Sequence, residues 1–178
     1  MKSYKQILLL SLTILFISCS SDDSTPIDIN AQEEDLVGTW NLIEESQDGT
    51  VSPNGIPVNG SITSVGKDLN AQIVFTANPN NYTGSGSYTD VIKITAVGQT
   101  LAEGELIVPI SDIINQGTWS LNAGVLTLTQ NGIEQKVNIT ELTAATLKIE
   151  FEIEENNVTY QGFTGDIKST IKMTFTKQ

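Results

Sequence analysis

The stretch that decides the fold is DLVGTWNLIEES, residues Asp35–Ser46, which places a tryptophan two residues after a glycine in the first strand-like segment. The polar residues before it show no apolar pattern, so the folded domain is predicted to begin here. The same tripeptide returns at Gly117-Thr118-Trp119. A bulky ring at a strand start is typical of a core anchor, and both tryptophans are therefore predicted to have a mainly structural role.

The remainder of the chain is dominated by strand patterns. In LKIEFEIE, Leu147–Glu154, apolar and charged residues alternate strictly, which predicts a strand with one dry and one wet face. Glu150, Glu152 and Glu154 are then expected to point outward as a solvated surface. Thr170–Lys177 repeats the alternation, and Asn131-Gly132 is a strong two-residue hairpin signal. Short strands joined by such turns predict an antiparallel barrel or a β-sandwich.

One segment differs from the rest because it is rich in turn-forming residues. Residues Gln47–Asn70 contain two prolines and four glycines, and only Ile62–Val65 reads as a short strand. A loop of this length within a compact domain is usually functional. It is therefore interpreted either as a functional loop or as a sign that the assignment of elements is wrong there.

The N-terminus reads as a targeting segment. Lys2 and Lys5 precede an apolar run, Ile7–Ile17, that is too short to cross a bilayer comfortably. These features predict a secretory signal over residues 1–18, with an uncleaved membrane anchor as the alternative. Cys19 is the only cysteine, which excludes an intramolecular disulfide.

The residues around Cys19, FISCSSDD, resemble the lipobox of bacterial lipoproteins. The resemblance implies a lipidated Cys19, carrying acyl chains such as palmitate, that joins the protein to a membrane through an acidic tether over residues 19–34. Several acyl chains hold a soluble domain firmly, whereas one binds only marginally. Ser21-Asp22-Asp23 also resembles the surface-export signal of Bacteroidetes lipoproteins. It implies an outer-membrane protein exposed at the cell surface, with the periplasmic face as the alternative.

The composition excludes several functions. The net charge is −12 at pH 7 and the chain has no arginine, which argues against binding to nucleic acid. With no histidine and with Cys19 assigned to lipid, Ser-His or Cys-His catalysis and imidazole or thiolate metal sites are excluded. The chain is therefore predicted not to be an enzyme and to need no cofactor or metal.

Residues 35–178 resemble the lipocalin-like domain of bacterial lipoproteins, because LVGTWNLIEES is followed by a long segment and then by successive hairpins. The resemblance implies an all-β, up-and-down antiparallel barrel of about eight strands. Gly38 would let the chain turn in tightly, Trp40 would close the barrel floor, and the loop after the first strand would cover the mouth. Typical lipocalins place an arginine over this tryptophan; here Lys172 or Lys177 would take that position.

Two functions remain open from the sequence. A barrel can hold one small ligand or be filled by its own side chains. The first case predicts a carrier of a small apolar molecule, and the second predicts a surface structural or interaction module. The side chains expected to line a ligand cavity are Phe75, Ile94, Leu128, Ile139, Ile149, Phe151, Met173 and Phe175. A cavity of at least about 300 Å³ would favour the carrier.

Overall fold

The computed structural model describes residues 32–55 and 58–178. The predicted signal peptide, Cys19 and most of the predicted tether lie outside these residues. The elements are α1 (Glu33–Leu36), β1 (Gly38–Pro53), β2 (Gly60–Thr76), β3 (Asn81–Ala96), β4 (Gln99–Pro109), a 3-10 turn (Ile110–Asp112), β5 (Gln116–Asn122), β6 (Val125–Gln130), β7 (Ile133–Leu142), β8 (Thr146–Tyr160) and β9 (Phe163–Lys177). Within the described residues, no helix is both long and apolar enough to cross a membrane.

The strands form one antiparallel ring, which confirms the predicted lipocalin-like barrel over the sandwich. β1 pairs with both β2 and β9, and β2 also pairs with β3. The ring continues from β3 through β5, β6, β7 and β8 to β9. The predicted hairpin at Asn131-Gly132 is confirmed, because both residues have positive φ angles and Gln130 pairs with Ile133 across them.

The ninth strand, β4, makes the barrel asymmetric. β3 pairs with β5 only over Asn81–Thr83, and farther along it pairs with β4 over Ser87–Ala96. Among the described residues, β4 has no other strand partner. Beyond Glu150, β8 likewise pairs only with β9. β4 and this part of β8 are therefore not joined to each other by backbone hydrogen bonds.

The prediction of a long loop over Gln47–Asn70 was wrong. β1 continues to Pro53 and β2 begins at Gly60, so most of the segment is a strand hairpin. Val51 and Ile62 are buried between polar residues that face outward, and this alternation outweighs the turn-forming composition. Pro53 is tolerated because it is the last residue of its strand. The expected lid over the mouth is therefore absent from the described part of this segment.

A bulge in β1 changes which residues point inward. Trp40 and Leu42 are buried, then Ile43 and Glu44 are exposed, and Glu45 and Gln47 are buried. The register with β9 shifts between Leu42 and Glu44, as an extra residue in one strand requires. Without that shift, Glu45 would point to solvent.

The interior contains two hydrophobic clusters along the barrel. The larger surrounds Trp40 and includes Phe75, Trp119 and Phe175. The smaller lies towards the other end and includes Val51, Ile62, Ile92, Ile94, Ala102, Phe163 and Ile167. Buried polar side chains lie along the strands that connect the two clusters: Glu45, Gln47, Ser64, Asp90 and Ser169.

Candidate ligand-binding site

The end of the barrel nearest α1 is closed around Trp40. This side chain is fully buried, and its indole Nε1 donates a 2.7 Å hydrogen bond to the carbonyl of Leu36 in α1. Lys177, in the last strand, has its Nζ 5.0 Å from the centre of the ring, within the range of a cation–π contact. Of the two lysines considered from the sequence, Lys177 is therefore the one over the ring.

Gly38 makes room for this lysine. Its φ of +141° is a conformation that side-chain-bearing residues rarely adopt, and a Cβ at this position would lie 2.6 Å from Cε of Lys177. The lysine Nζ also donates a 2.9 Å hydrogen bond to the carbonyl of Asp35. Gly38, Trp40 and Lys177 thus close this end together.

Trp119, from the second GTW tripeptide, is an anchor in the same cluster. It is buried, and its ring meets that of Phe75 edge to face at a centroid distance of 6.0 Å. Its Nε1 donates a 3.0 Å hydrogen bond to the carbonyl of Thr76. These contacts give Trp119 a structural role.

A cavity of about 480 Å³ lies where the two hydrophobic clusters meet. Its wall includes Tyr88, Phe151 and Ile171 from the larger cluster and Ile62, Ile92 and Ile94 from the smaller. The volume lies within the roughly 300–1,000 Å³ that is usual for small-molecule sites, and it exceeds the volume of about 300 Å³ that would favour a carrier.

The mouth of the cavity lies between β4 and β8. The exposed side chains of its wall are Leu106 on β4, Asp112 in the 3-10 turn, and Glu155 and Thr159 on β8. These are the two strands whose edges are not paired with each other. At the far end they approach again, because a Cβ on Gly104 of β4 would lie 2.7 Å from the hydroxyl of Tyr160.

Two buried carboxyl groups, those of Glu45 and Asp90, face the cavity. Glu45 is 1% exposed and Asp90 is 6% exposed. Glu45 Oε2 and Asp90 Oδ1 are buried and have no hydrogen-bond partner. The hydroxyl oxygen of Tyr160, on the cavity wall, is also buried and unpaired. Buried polar atoms are usually paired, so three unpaired ones around a single cavity mark it as a candidate site.

Gly66 allows the two carboxyl groups to meet. It lies on β2, between the strands that carry them, and is the register partner of Asp90. A Cβ on Gly66 would lie 2.9 Å from Cβ of Glu45 and 3.1 Å from its Oε2. A larger residue would therefore displace the glutamate.

Burial changes the acidity of this pair. Desolvation, which is the largest cause, and the nearby charge of Asp90 together raise the pKa of Glu45 to about 8. Desolvation also raises the pKa of Asp90, while the hydroxyl of Ser64 opposes that rise. At neutral pH Glu45 therefore keeps its proton, and burial makes Asp90 harder to ionise as well.

A short network of side-chain hydrogen bonds lies next to the acid pair. Gln47 Nε2 donates a 2.6 Å hydrogen bond to Ser169 Oγ, and Ser64 Oγ donates a 3.4 Å hydrogen bond to Gln47 Oε1. All three side chains are buried. This chain fixes polar groups of β1, β2 and β9 beside the cavity.

Only some of the side chains predicted to line a ligand cavity do so. Ile94 and Phe151 are on the cavity wall. The other six belong to the larger hydrophobic cluster and do not line this cavity: Phe75, Leu128, Ile139, Ile149, Met173 and Phe175. Period-two alternation identifies the face of a strand but not the height along the barrel, and these six lie below the cavity among the packed aromatic side chains.

The polar residues of the site were not identified from the sequence, although two signals for them exist. Asp90 is in phase with Ile92 and Ile94, which were recognised as alternating residues of one strand. Leu42 and Val51 are both buried, although one has an even and the other an odd residue number. Because side chains alternate along a strand, a bulge must lie between them, and it turns Glu45 inward. Of the acidic residues noted on β8, Glu152 and Glu154 are exposed and Glu150 is half-buried.

A ring of eight antiparallel strands around an internal cavity is an architecture that can hold one small ligand. The model of the lipocalin-like domain family matches residues 36–149, which is more than half of the chain. The chain therefore belongs to the lipocalin-like domain family, whose members are generally non-enzymatic binding proteins. A comparison with curated proteins found no match.

Proposed function

We propose that this protein is a non-catalytic carrier that binds one small, largely apolar molecule in the barrel cavity. The observation that carries the proposal is the cavity of about 480 Å³ between the two hydrophobic clusters. Apolar side chains such as Ile62, Ile92 and Ile94 supply most of its buried wall, so an apolar molecule gains free energy by leaving water.

The runner-up function is a surface interaction module. On the outer face of the sheet, Val65 is 60% exposed, Val91 is 37% exposed and Ile107 is 70% exposed. Val65 and Val91 are register partners, and Ile107 is diagonal to Val91 across the β3–β4 pair. These three side chains form a small apolar patch that would suit a protein partner.

The carrier is further proposed to be lipid-anchored through Cys19 to the outer membrane, with its domain at the cell surface. The basic N-terminus, the short apolar run and the lipobox-like FISCSSDD support this anchoring. Lipidation would hold the barrel at the membrane through acyl chains rather than through a spanning segment.

The carrier function is tested by titrating the domain with N-phenyl-1-naphthylamine, a neutral fluorophore that brightens in apolar surroundings. The blocked variant is Val108→Trp, because Val108 lines the cavity and is only half-buried on an edge strand. The matched control is Ile107→Trp, whose side chain is 70% exposed on the opposite face of the same strand.

The expected result is saturable, one-to-one binding by the unmodified protein and by Ile107→Trp. Val108→Trp should weaken binding by about tenfold or more, because the indole occupies part of the cavity. Equal binding by both tryptophan variants would place the fluorophore outside the barrel. No saturable binding by the unmodified protein would favour the interaction module.

A further inference from the structure

We infer that the cavity selects a lipophilic amine, whose ammonium group binds between Glu45 and Asp90 while its apolar body lies against the isoleucine and aromatic wall. This inference rests on the proposed carrier function and specifies the ligand of the same site. It concerns the chemical class of the ligand: one cationic, hydrogen-bond-donating head and one hydrophobic body.

The unpaired atoms define what the ligand must supply. Glu45 Oε2 and Asp90 Oδ1 are buried, face the cavity and lack a donor. A carboxyl oxygen with a free lone pair accepts hydrogen bonds, and leaving it unpaired in the interior is costly. An ammonium group offers several N–H donors from one atom, so it can serve both carboxyl groups at once.

The charge around the cavity favours a cation. Its wall carries the acidic side chains Glu45, Asp90, Asp112 and Glu155, and no lysine is among the described residues that line it. A carboxylate ligand such as a fatty acid would meet like charge in a desolvated site. An ammonium ligand would instead neutralise the buried charge.

The geometry favours an organic cation over a metal ion. Among the described residues, no three histidine, cysteine, aspartate or glutamate side chains come together as a metal site. Tyr88 and Phe151 are on the wall together with the two acids, and aromatic faces attract an ammonium group. Apolar side chains complete the wall, and they match a hydrocarbon body rather than a hydrated ion.

The test compares three probes of the same chain length: decylamine, decanol and decanoate, each below its micelle concentration. Their affinities are measured by displacement of N-phenyl-1-naphthylamine at pH 7. The proteins are the unmodified domain, the double variant Glu45→Gln/Asp90→Asn and the control Glu152→Gln/Glu154→Gln. The control likewise replaces two acidic side chains with amides, but at exposed positions.

The unmodified protein and the control are expected to bind decylamine at least about tenfold more tightly than decanol, and decanoate most weakly. The double variant should lose the preference for the amine and keep its decanol affinity, which also shows that its barrel is intact. If the double variant does not bind decanol, the single variant Asp90→Asn is judged by the same affinity ratio.

Other outcomes overturn the inference in distinguishable ways. Equal affinity of the unmodified protein for the amine and the alcohol would refute amine selection and leave the carrier function standing. A preference for the amine that persists in the double variant would assign selectivity to other groups. Failure of the fluorophore and all three probes to bind would reject the carrier function itself.

Discussion

Glu45 and Asp90 meet inside the barrel although they belong to β1 and β3, which are separated by β2. The contact depends on Gly66 of β2, whose missing side chain leaves the space that Glu45 occupies. The bulge in β1 turns Glu45 inward, and regular alternation along β3 turns Asp90 to the same place. Two local features of the backbone therefore create a buried acid pair in a largely apolar cavity.

The acid pair should make the folded state less stable as pH rises. The pKa of Glu45 is about 8 in the folded protein and near its ordinary value of 4.5 after unfolding. Between these values the unfolded chain releases a proton that the folded protein keeps, so each increase in pH favours unfolding. The contribution of Glu45 to stability is full below about pH 4.5, falls as pH rises from there to about 8, and is lost above about pH 8. The raised pKa of Asp90 acts in the same direction.

Thermal unfolding between pH 6 and 8.5 measures this effect, because the chain has no histidine to titrate there. The midpoint should fall by roughly 5 °C or more over this range. Glu45→Gln should flatten the dependence, since glutamine keeps the shape and cannot ionise. A profile that is flat for the unmodified protein, or unchanged in Glu45→Gln, would contradict the buried pair.

Gly66→Ala, on β2, should displace Glu45 on the neighbouring strand β1 and destabilise the protein. The new Cβ would lie 2.9 Å from Cβ of Glu45 and 3.0 Å from Cδ2 of Leu69, so these side chains must move. The expected cost is about 1–3 kcal/mol in the free energy of unfolding, measured by urea denaturation. Thr63→Ala, exposed on the same strand, is the control and should change stability much less. Unaltered stability in Gly66→Ala would show that Glu45 does not need this space.

The fold was largely predictable because its main signals are local. The alternation in Leu147–Glu154 and the turn at Asn131-Gly132 act over a few residues and fix strand and hairpin directly. The site was less predictable because it depends on bulges and on height along the barrel. Gly66, Glu45 and Asp90 are distant in sequence, and only the register of three strands brings them together.

The predicted lipid attachment is tested by Cys19→Ala in the native membrane. Loss of the thiol removes the acylation site, so most of the protein should move from the membrane fraction to the soluble fraction. Ser20→Ala, next to it, is the control and should stay with the membrane. Membrane partition that does not change in Cys19→Ala would reject the lipoprotein prediction.

The structural role of Trp40 is tested by Trp40→Ala. The side chain is fully buried, donates a hydrogen bond to the carbonyl of Leu36 and lies beneath the ammonium group of Lys177. Removing it leaves a cavity, and the expected loss is about 3–5 kcal/mol in the free energy of unfolding, measured by urea denaturation. Ile43→Ala, a position 53% exposed on the same strand, should cost well under half as much. A loss below about 1 kcal/mol for Trp40→Ala would mean that this end of the barrel closes without it.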